Sequence, residues 1–175
     1  MLEKDELLDK INNDTYFTEI VEEFCKERTV ENYINVCKVL QYRDFYIGAI
    51  INVKDHHYRA VLKHEGHLPE DVMQDETKVD IEPLKVEIRL GIHKETVLCI
   101  FTDSSKIDFK KTKCNGIICL DLKTTWEKYF ASDEIAGFVI NLGKEEVMIP
   151  YDYIKFILEN DFESIENRIK INLKK

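Results

Sequence analysis

Hydrophobic positions in the first forty residues repeat with the period of an α-helix. In the first predicted helix the apolar residues stand at i, i+3, i+4 and i+7: Phe17, Ile20, Val21 and Phe24. A second helix is predicted to begin near Thr29, a residue type that caps helix N-termini, and its apolar stripe runs from Tyr33 to Leu40. Two amphipathic helices therefore precede the rest of the chain, and the apolar face of each must be buried against another element.

From residue 45 the pattern becomes that of β-strands. Residues 45–53 are β-branched, aromatic and almost continuously apolar, which predicts a central strand that is covered on both faces. Residues 58–63 are predicted as a short partner strand. Residues 64–80 are polar and acidic and contain Gly66 and Pro69, so they are predicted to form a long surface loop.

The clearest strand pattern in the chain is the alternation over residues 84–90. Four aliphatic residues alternate there with three charged ones, which predicts a strand with one face in water. A short connection joins it to a second strand pattern at residues 96–102, and an antiparallel hairpin is the expected arrangement.

The remaining elements complete the predicted fold. In order, they are a basic loop (106–113), a strand (116–122), a helix that carries Trp126, two strands (135–141 and 145–149) around a turn at Gly143, a helix that begins at Pro150, and a last helix over 161–171. Together they predict a single α+β domain, with N-terminal amphipathic helices on a mixed, largely antiparallel sheet and with C-terminal helices. A helical segment, 1–44, is expected to pack on the α+β part, 45–175.

The composition narrows the classes of partner. The chain of 175 residues has 34 acidic and 25 basic residues and a net charge of −9, which disfavours nucleic acid and anionic membranes as partners. It carries five cysteines without a CxxC spacing, and no apolar run has the length of a membrane span, so we expect a cytoplasmic protein with free thiols. A basic protein is the partner that such a charge favours.

Two groups of residues are candidates for chemistry. His64 and His67 stand three residues apart and are weak candidates for metal ligands. Cys114 follows a run of lysines, whose positive charge would favour a thiolate. Neither group is part of a recognisable catalytic motif, so we predict no catalytic residue and no cofactor. A metal- or thiol-dependent enzyme is kept as an alternative.

The acidic side chains of the predicted loop at 64–80 are the candidates for contact with a protein partner. Five carboxylates occur there within twelve residues: Glu65, Glu70, Asp71, Asp75 and Glu76. A surface with such a charge would attract a basic domain.

The order of motifs in the C-terminal half resembles the N-terminal domain of the SseB family, a bacterial family. The resemblance covers about residues 45–158, and the residues that carry it are Phe101, Thr102, Gly137, Asn141 and Gly143. Where the family usually has a proline after the asparagine, this chain has Leu142. The family brings no agreed catalytic chemistry with it, and some of its relatives sit beside toxin genes, where small acidic domains serve as immunity proteins.

The resemblance and the composition together predict a function in protein binding. The first hypothesis is a non-catalytic protein-protein interaction module of SseB-like type, with a regulatory or adaptor role. The alternative is an immunity protein that neutralises a basic toxin domain. The oligomeric state is left open by the sequence.

Overall fold

The computed structural model describes residues 10, 13, 15–130, 134–143 and 145–172. Within them the chain forms an α+β domain, as predicted. The helices are α1 (Tyr16–Lys26), α2 (Val30–Tyr42), α3 (His56–Glu65), α4 (Glu70–Met73), α5 (Phe109–Thr112), α6 (Leu122–Tyr129), α7 (Tyr151–Glu159) and α8 (Phe162–Asn172), with a 3₁₀ turn at Ser104–Lys106. The strands are β1 (Phe45–Val53), β2 (Val79–Pro83), β3 (Lys85–Leu90), β4 (His93–Ile100), β5 (Gly116–Leu120), β6 (Gly137–Ile140) and β7 (Val147–Pro150).

The strands form two sheets, and all but one of the strand pairs are antiparallel. The three-stranded sheet has the order β2-β1-β5, and the four-stranded sheet has the order β3-β4-β6-β7 with β4 and β6 parallel. A bridge between Tyr46 and Phe101 joins β1 to the end of β4, and the chain passes from β2 into β3 at Leu84. The predicted mixed, largely antiparallel sheet and the hairpin of β3 with β4 are confirmed.

The N-terminal helices lie where their apolar stripes predict. Phe17 and Val21 of α1, together with Leu40 of α2, belong to one buried core with Leu98 of β4 and Phe138 of β6. The Thr29 hydroxyl accepts a hydrogen bond from the backbone N–H of Asn32 at 3.1 Å and so caps α2 as expected. Helices α1 and α2 therefore pack on the sheet, whereas residues 1–9, 11, 12 and 14 of the predicted helical segment 1–44 lie outside the described residues.

The prediction of a strand at residues 58–63 was wrong, because these residues belong to α3. The Asp55 carboxylate accepts a hydrogen bond from the backbone N–H of His57 at 2.7 Å, and Gly66 ends the helix with a φ of 76°. The side chains of Tyr58 and Leu62, spaced four residues apart, pack in a small apolar cluster with Val53 of β1. Local caps and a one-sided apolar spacing favour a helix over a strand.

The long loop predicted over residues 64–80 is also corrected. It contains the last turn of α3, the short helix α4 and the start of β2. Val72 and Leu68 are buried in the small cluster with Val53 of β1. Apolar contacts therefore attach this segment to the sheet.

β1 is central to its sheet, as predicted, but it is covered on both faces only in its first half. Phe45, Ile47 and Ala49 share one face and are fully buried, whereas on the other face Gly48 is buried but the side chain of Ile50 is 45% exposed. In the described residues, no helix has both the length and the apolar character that crossing a membrane requires.

Candidate functional site

The two faces of the four-stranded sheet are covered differently. Leu98 and Ile100 of β4 point into the main core beneath the helices. Because side chains alternate along a strand, Cys99 and Phe101 point to the opposite face, where they form a separate buried cluster with Ile107. Leu84, Val86 and Leu142 pack beside this cluster and are half-buried.

An open recess of about 370 Å³ lies on this second face, and we call it the outer cleft. β3, the end of β4, the segment that contains α5 and the turn between β6 and β7 contribute its lining: Leu84, Lys85, Val86, Phe101, Lys106, Asp108, Lys111, Thr112, Asn141, Leu142 and Gly143. Its floor is apolar and its margin carries charged and polar side chains. Such a combination is typical of binding sites in general.

A buried polar network holds one wall of the outer cleft in place. The Asn141 carboxamide oxygen accepts a hydrogen bond from the backbone N–H of Thr102 at 3.0 Å, and its NH₂ group donates to the Thr102 hydroxyl at 3.2 Å. The hydroxyl of Thr18 donates to the same Thr102 oxygen at 2.8 Å and so ties α1 to the end of β4. Asn141 also has a φ of 53°, a conformation that asparagine tolerates better than most residues.

The turn at Gly143, which closely follows Asn141, is held by another side chain. The Asn141 side chain is hydrogen-bonded to Thr102, whereas the Glu146 carboxylate accepts a hydrogen bond from the backbone N–H of Gly143 at 2.7 Å.

Lys106 joins three segments at the edge of the outer cleft. Its ammonium group lies 2.7 Å from a carboxylate oxygen of Glu145 and 3.2 Å from one of Glu22 in α1, and its side chain is 21% exposed. Burial by itself would lower the pKa of Lys106, but the hydrogen bonds and charges of Glu145 and Glu22 outweigh that effect and raise the pKa. Its charge is therefore neutralised within the protein, although Lys106 belongs to the predicted basic loop at 106–113.

The other lysines of this segment point into solvent. The Asp108 carboxylate caps α5 by accepting hydrogen bonds from the backbone N–H groups of Lys110 and Lys111, both at 3.1 Å. Lys110, Lys111 and Lys113 are exposed, and the Lys111 ammonium lies 3.9 Å from Asp108.

Most of the motif residues that carry the SseB-like resemblance converge on the outer cleft. Phe101, Asn141 and Gly143 line it, and Thr102 lies directly behind Asn141. Gly137 lies at the other end of β6 and has a packing role there. The sequence did not indicate the remaining wall, because the half-buried aliphatic face of β3 looks like an ordinary sheet face in the amino-acid pattern.

The predicted acidic contact residues occupy a different part of the surface. Glu65 ends α3, Glu70 and Asp71 begin α4, and these three side chains and that of Glu76 are exposed. Asp75 is instead bonded locally.

Asp75 has local partners that account for its position. Its carboxylate accepts hydrogen bonds from the hydroxyl and the backbone N–H of Thr77 at 2.6 and 3.0 Å, and it pairs with Lys78 at 3.0 Å. These bonds lower the pKa of Asp75 to about 2, and the hydrogen bond from the Thr77 hydroxyl has the largest effect. Because these bonds already use the oxygen atoms of its carboxylate, Asp75 is less available for contact with a protein partner.

Beside the acidic residues lies a second recess of about 270 Å³, which we call the α3–α4 recess. Leu62, Leu68 and Met73 supply apolar lining, together with the edge of the sheet at Asn115 and Gly116. In the sequence, Glu65 directly precedes the lining residues 66–68, and Glu70 follows them two positions later.

The two histidines named as weak metal candidates do not share one helical turn. His64 lies in the last turn of α3, whereas His67 follows the left-handed Gly66, and its Nδ1 lies 3.1 Å from the backbone oxygen of Glu65. Over the described part of the chain, no group of three or more His, Cys, Asp or Glu side chains is arranged to hold a metal ion.

Cys114 is packed in the interior of the protein. It is 7% exposed, and a Cβ added to Gly48 would lie 3.0 Å from its sulfur atom. In the cluster with Phe101 and Ile107, burial raises the pKa of the Cys99 thiol to about 12, so Cys99 is protonated at neutral pH.

Comparison with known proteins adds no relative to this description. No family model, no curated protein and no solved structure matches the chain.

Proposed function

We propose that the chain is a non-catalytic protein-binding module of SseB-like type, with a regulatory or adaptor role. The observation that carries this proposal is the outer cleft, since residues of the SseB-like motif, Phe101, Asn141 and Gly143, line it together. The buried bonds of Asn141 to Thr102 pre-organise this wall, and a pre-organised wall lowers the entropic cost of binding.

The size and polarity of the outer cleft suit a side chain of a protein partner. A volume of about 370 Å³ lies at the small end of the range of ligand pockets, which is roughly 300–1,000 Å³. Leu84, Val86 and Leu142 are half-buried, so part of their apolar surface is still exposed and would be buried by a partner. An anchor side chain that fills such a pocket is the usual centre of a protein interface.

The substitution Leu142→Asp tests this proposal by placing a charge in the outer cleft. We expect the tagged variant to recover its partner from a native lysate of the source cells about tenfold less efficiently than the wild type, since the carboxylate would lose its hydration where an apolar contact is made. Quantitative mass spectrometry of the bound proteins measures the difference.

The matched control is Ile92→Asp. Ile92 is 93% exposed in the turn between β3 and β4 and lies outside the outer cleft, so this variant should recover the partner as the wild type does. Equal recovery by the Leu142→Asp protein, with thermal unfolding showing that it is folded, would remove the outer cleft as the binding site. Recovery of no stable partner by the wild type would count against the class of function.

The second candidate function is that of an immunity protein that neutralises a basic toxin domain. One observation favours it, namely that the exposed side chains of Glu65, Glu70, Asp71 and Glu76 belong to the same stretch of chain as several residues that line the α3–α4 recess. A lysine or arginine side chain of a partner has an aliphatic stem and a charged end. The apolar lining residues of the recess would contact the stem, and the carboxylates would contact the charge.

Charge reversal tests this second function. With a basic domain recovered by the capture experiment as the ligand, Glu65→Lys with Glu70→Lys should weaken binding at least tenfold, and the loss should shrink at high salt because exposed charges are screened. Glu127→Lys with Glu163→Lys makes the same change in net charge at exposed sites on α6 and α8 and should change binding little. Equal binding by both double variants, measured by titration calorimetry, would exclude this contact surface.

A further inference from the structure

The margin of the outer cleft is basic, although the chain as a whole has a net charge of −9. Lys85 and Lys111 line the cleft and are exposed, the side chain of Lys111 by 87%. Lys110 and Lys113 are exposed in the same segment as Lys111. Two exposed lysines therefore line the cleft, and two more stand next to Lys111 along the chain or two residues from it.

The acidic groups at the outer cleft do not cancel this charge. Among the lining residues Asp108 is the acidic one, and its carboxylate accepts hydrogen bonds from the backbone N–H groups that begin α5 and lies 3.9 Å from the Lys111 ammonium. Glu22 and Glu145 both pair with Lys106, which the cleft also contains, and the Glu146 carboxylate accepts a hydrogen bond from the backbone N–H of Gly143. Among the described residues of this margin, the exposed lysines without an ion pair are Lys85, Lys110 and Lys113.

Apolar surface lies directly beside these lysines. Val86 and Leu142 are half-buried in the floor of the outer cleft, and the ring of Phe109 on α5 is 42% exposed. A ligand that matches the cleft therefore combines one large apolar group with negative charge close to it.

We propose that the outer cleft binds an acidic segment of a protein partner, with one large apolar side chain between Leu142 and Val86 and with flanking carboxylates at Lys85 and Lys111. This inference rests on the proposed function and names the chemistry of its partner. The negative charge elsewhere on the chain weakens attraction at long range, but exposed charges farther away than about 8 Å are largely screened at physiological salt. Local pairing then decides which segment is bound.

Three fluorescently labelled peptides of equal length test the proposal. The first has a central leucine between two pairs of aspartates, the second has lysines in place of the aspartates, and the third has alanine in place of the leucine. Fluorescence anisotropy should detect binding of the first peptide to the full chain and clearly weaker binding of the other two.

Charge reversal at the margin identifies the site. Lys85→Glu with Lys111→Glu should weaken binding of the first peptide about tenfold, as expected when two charge contacts become repulsive. The matched control is Lys123→Glu with Lys128→Glu, which makes the same change in net charge at exposed positions of α6, outside the cleft, and should leave the affinity within about twofold.

The outcomes separate this inference from the function on which it rests. No binding of the acidic peptide, equal binding of the basic peptide, or an equal effect of the two double reversals overturns the acidic segment as the ligand. If Leu142→Asp still abolishes partner capture in that case, the protein-binding function stands. If Leu142→Asp leaves capture unchanged, the outer cleft is not the binding site, and if the wild type captures no partner, the proposed function itself fails.

Discussion

Replacing Gly137 with alanine is expected to destabilise the fold by about 3–4 kcal/mol, through the clash of one methyl group with a backbone that cannot move away. Gly137 begins β6 and pairs with Pro150 of β7. A Cβ at this position would lie 2.3 Å from the backbone oxygen of Ile149 and 2.9 Å from the methyl carbon of Met148.

The two contacts differ in how easily they can be relieved. The end of the Met148 side chain can rotate away, whereas the Ile149 oxygen belongs to the neighbouring strand, and Ile149 is fully buried in the main core. The φ of Gly137, 154°, adds backbone strain for any residue with a side chain. Relief therefore requires β6 and β7 to separate.

Urea denaturation of the wild type and the Gly137→Ala protein measures this cost. Gly66→Ala is the matched control, because Gly66 also has a positive φ, 76°, but no atom lies within 4 Å of an added Cβ. The control should cost about 1–2 kcal/mol, the conformational penalty alone. A Gly137→Ala cost no larger than that of the control would contradict the steric argument.

The second large effect is expected from Glu166→Ala, which should cost about 3 kcal/mol because it leaves the ammonium group of Lys38 buried without this carboxylate. Lys38 of α2 is 1% exposed, and its Nζ lies 3.0 Å from Glu166 of α8. The second carboxylate oxygen of Glu166 pairs with Lys170. The substitution thus removes the link between the two helices at a buried point.

The effect of Glu166→Ala should depend on pH. Burial by itself would raise the pKa of Glu166, but Lys170 and Lys38 outweigh it and lower the pKa below the ordinary value of 4.5. A group with a depressed pKa contributes stability that is present above its unfolded pKa and is lost as the pH falls through its folded pKa. The difference in unfolding free energy between wild type and variant should therefore be full at pH 7 and shrink below about pH 4.

Denaturation at pH 7 and at pH 3.5 measures this dependence. Glu163→Ala is the matched control, since Glu163 is exposed on the same helix and its removal should cost less than about 0.5 kcal/mol at either pH. A Glu166→Ala cost that is the same at both pH values would show that its carboxylate does not stabilise the fold through its charge.

Local sequence patterns predicted most of the secondary structure. The stripe of Phe17, Ile20 and Val21 is the buried face of α1, and Pro150 directly precedes α7. The prediction was wrong at α3, because the apolar run there is too short to distinguish a strand from a helix. The capping residues Asp55 and Gly66 are the signal that indicates a helix. The buried Lys38 did have a signal, since it stands four residues after Ile34 in the apolar stripe of α2.

The candidate site could be predicted only in part. The sequence names Phe101, Thr102 and Asn141 as motif residues, but the hydrogen bonds between Thr102 and Asn141 join positions 39 residues apart. Of the acidic candidates, Glu65, Glu70, Asp71 and Glu76 are exposed, whereas the bonds of Asp75 to Thr77 are a detail of one turn.

By itself the sequence determined α1, α2, α6, α7 and α8, the hairpin of β3 with β4 and the α+β class, since these depend on periodicity, caps and contacts between residues that are close along the chain. Only the tertiary structure decided the parallel pairing of β4 with β6, the neutralisation of Lys106 and the outer cleft. The physical reason is that Leu84, Phe101 and Leu142 meet through the pairing of distant strands. Strand order results from the total burial and hydrogen bonding of the whole sheet, which no local pattern encodes.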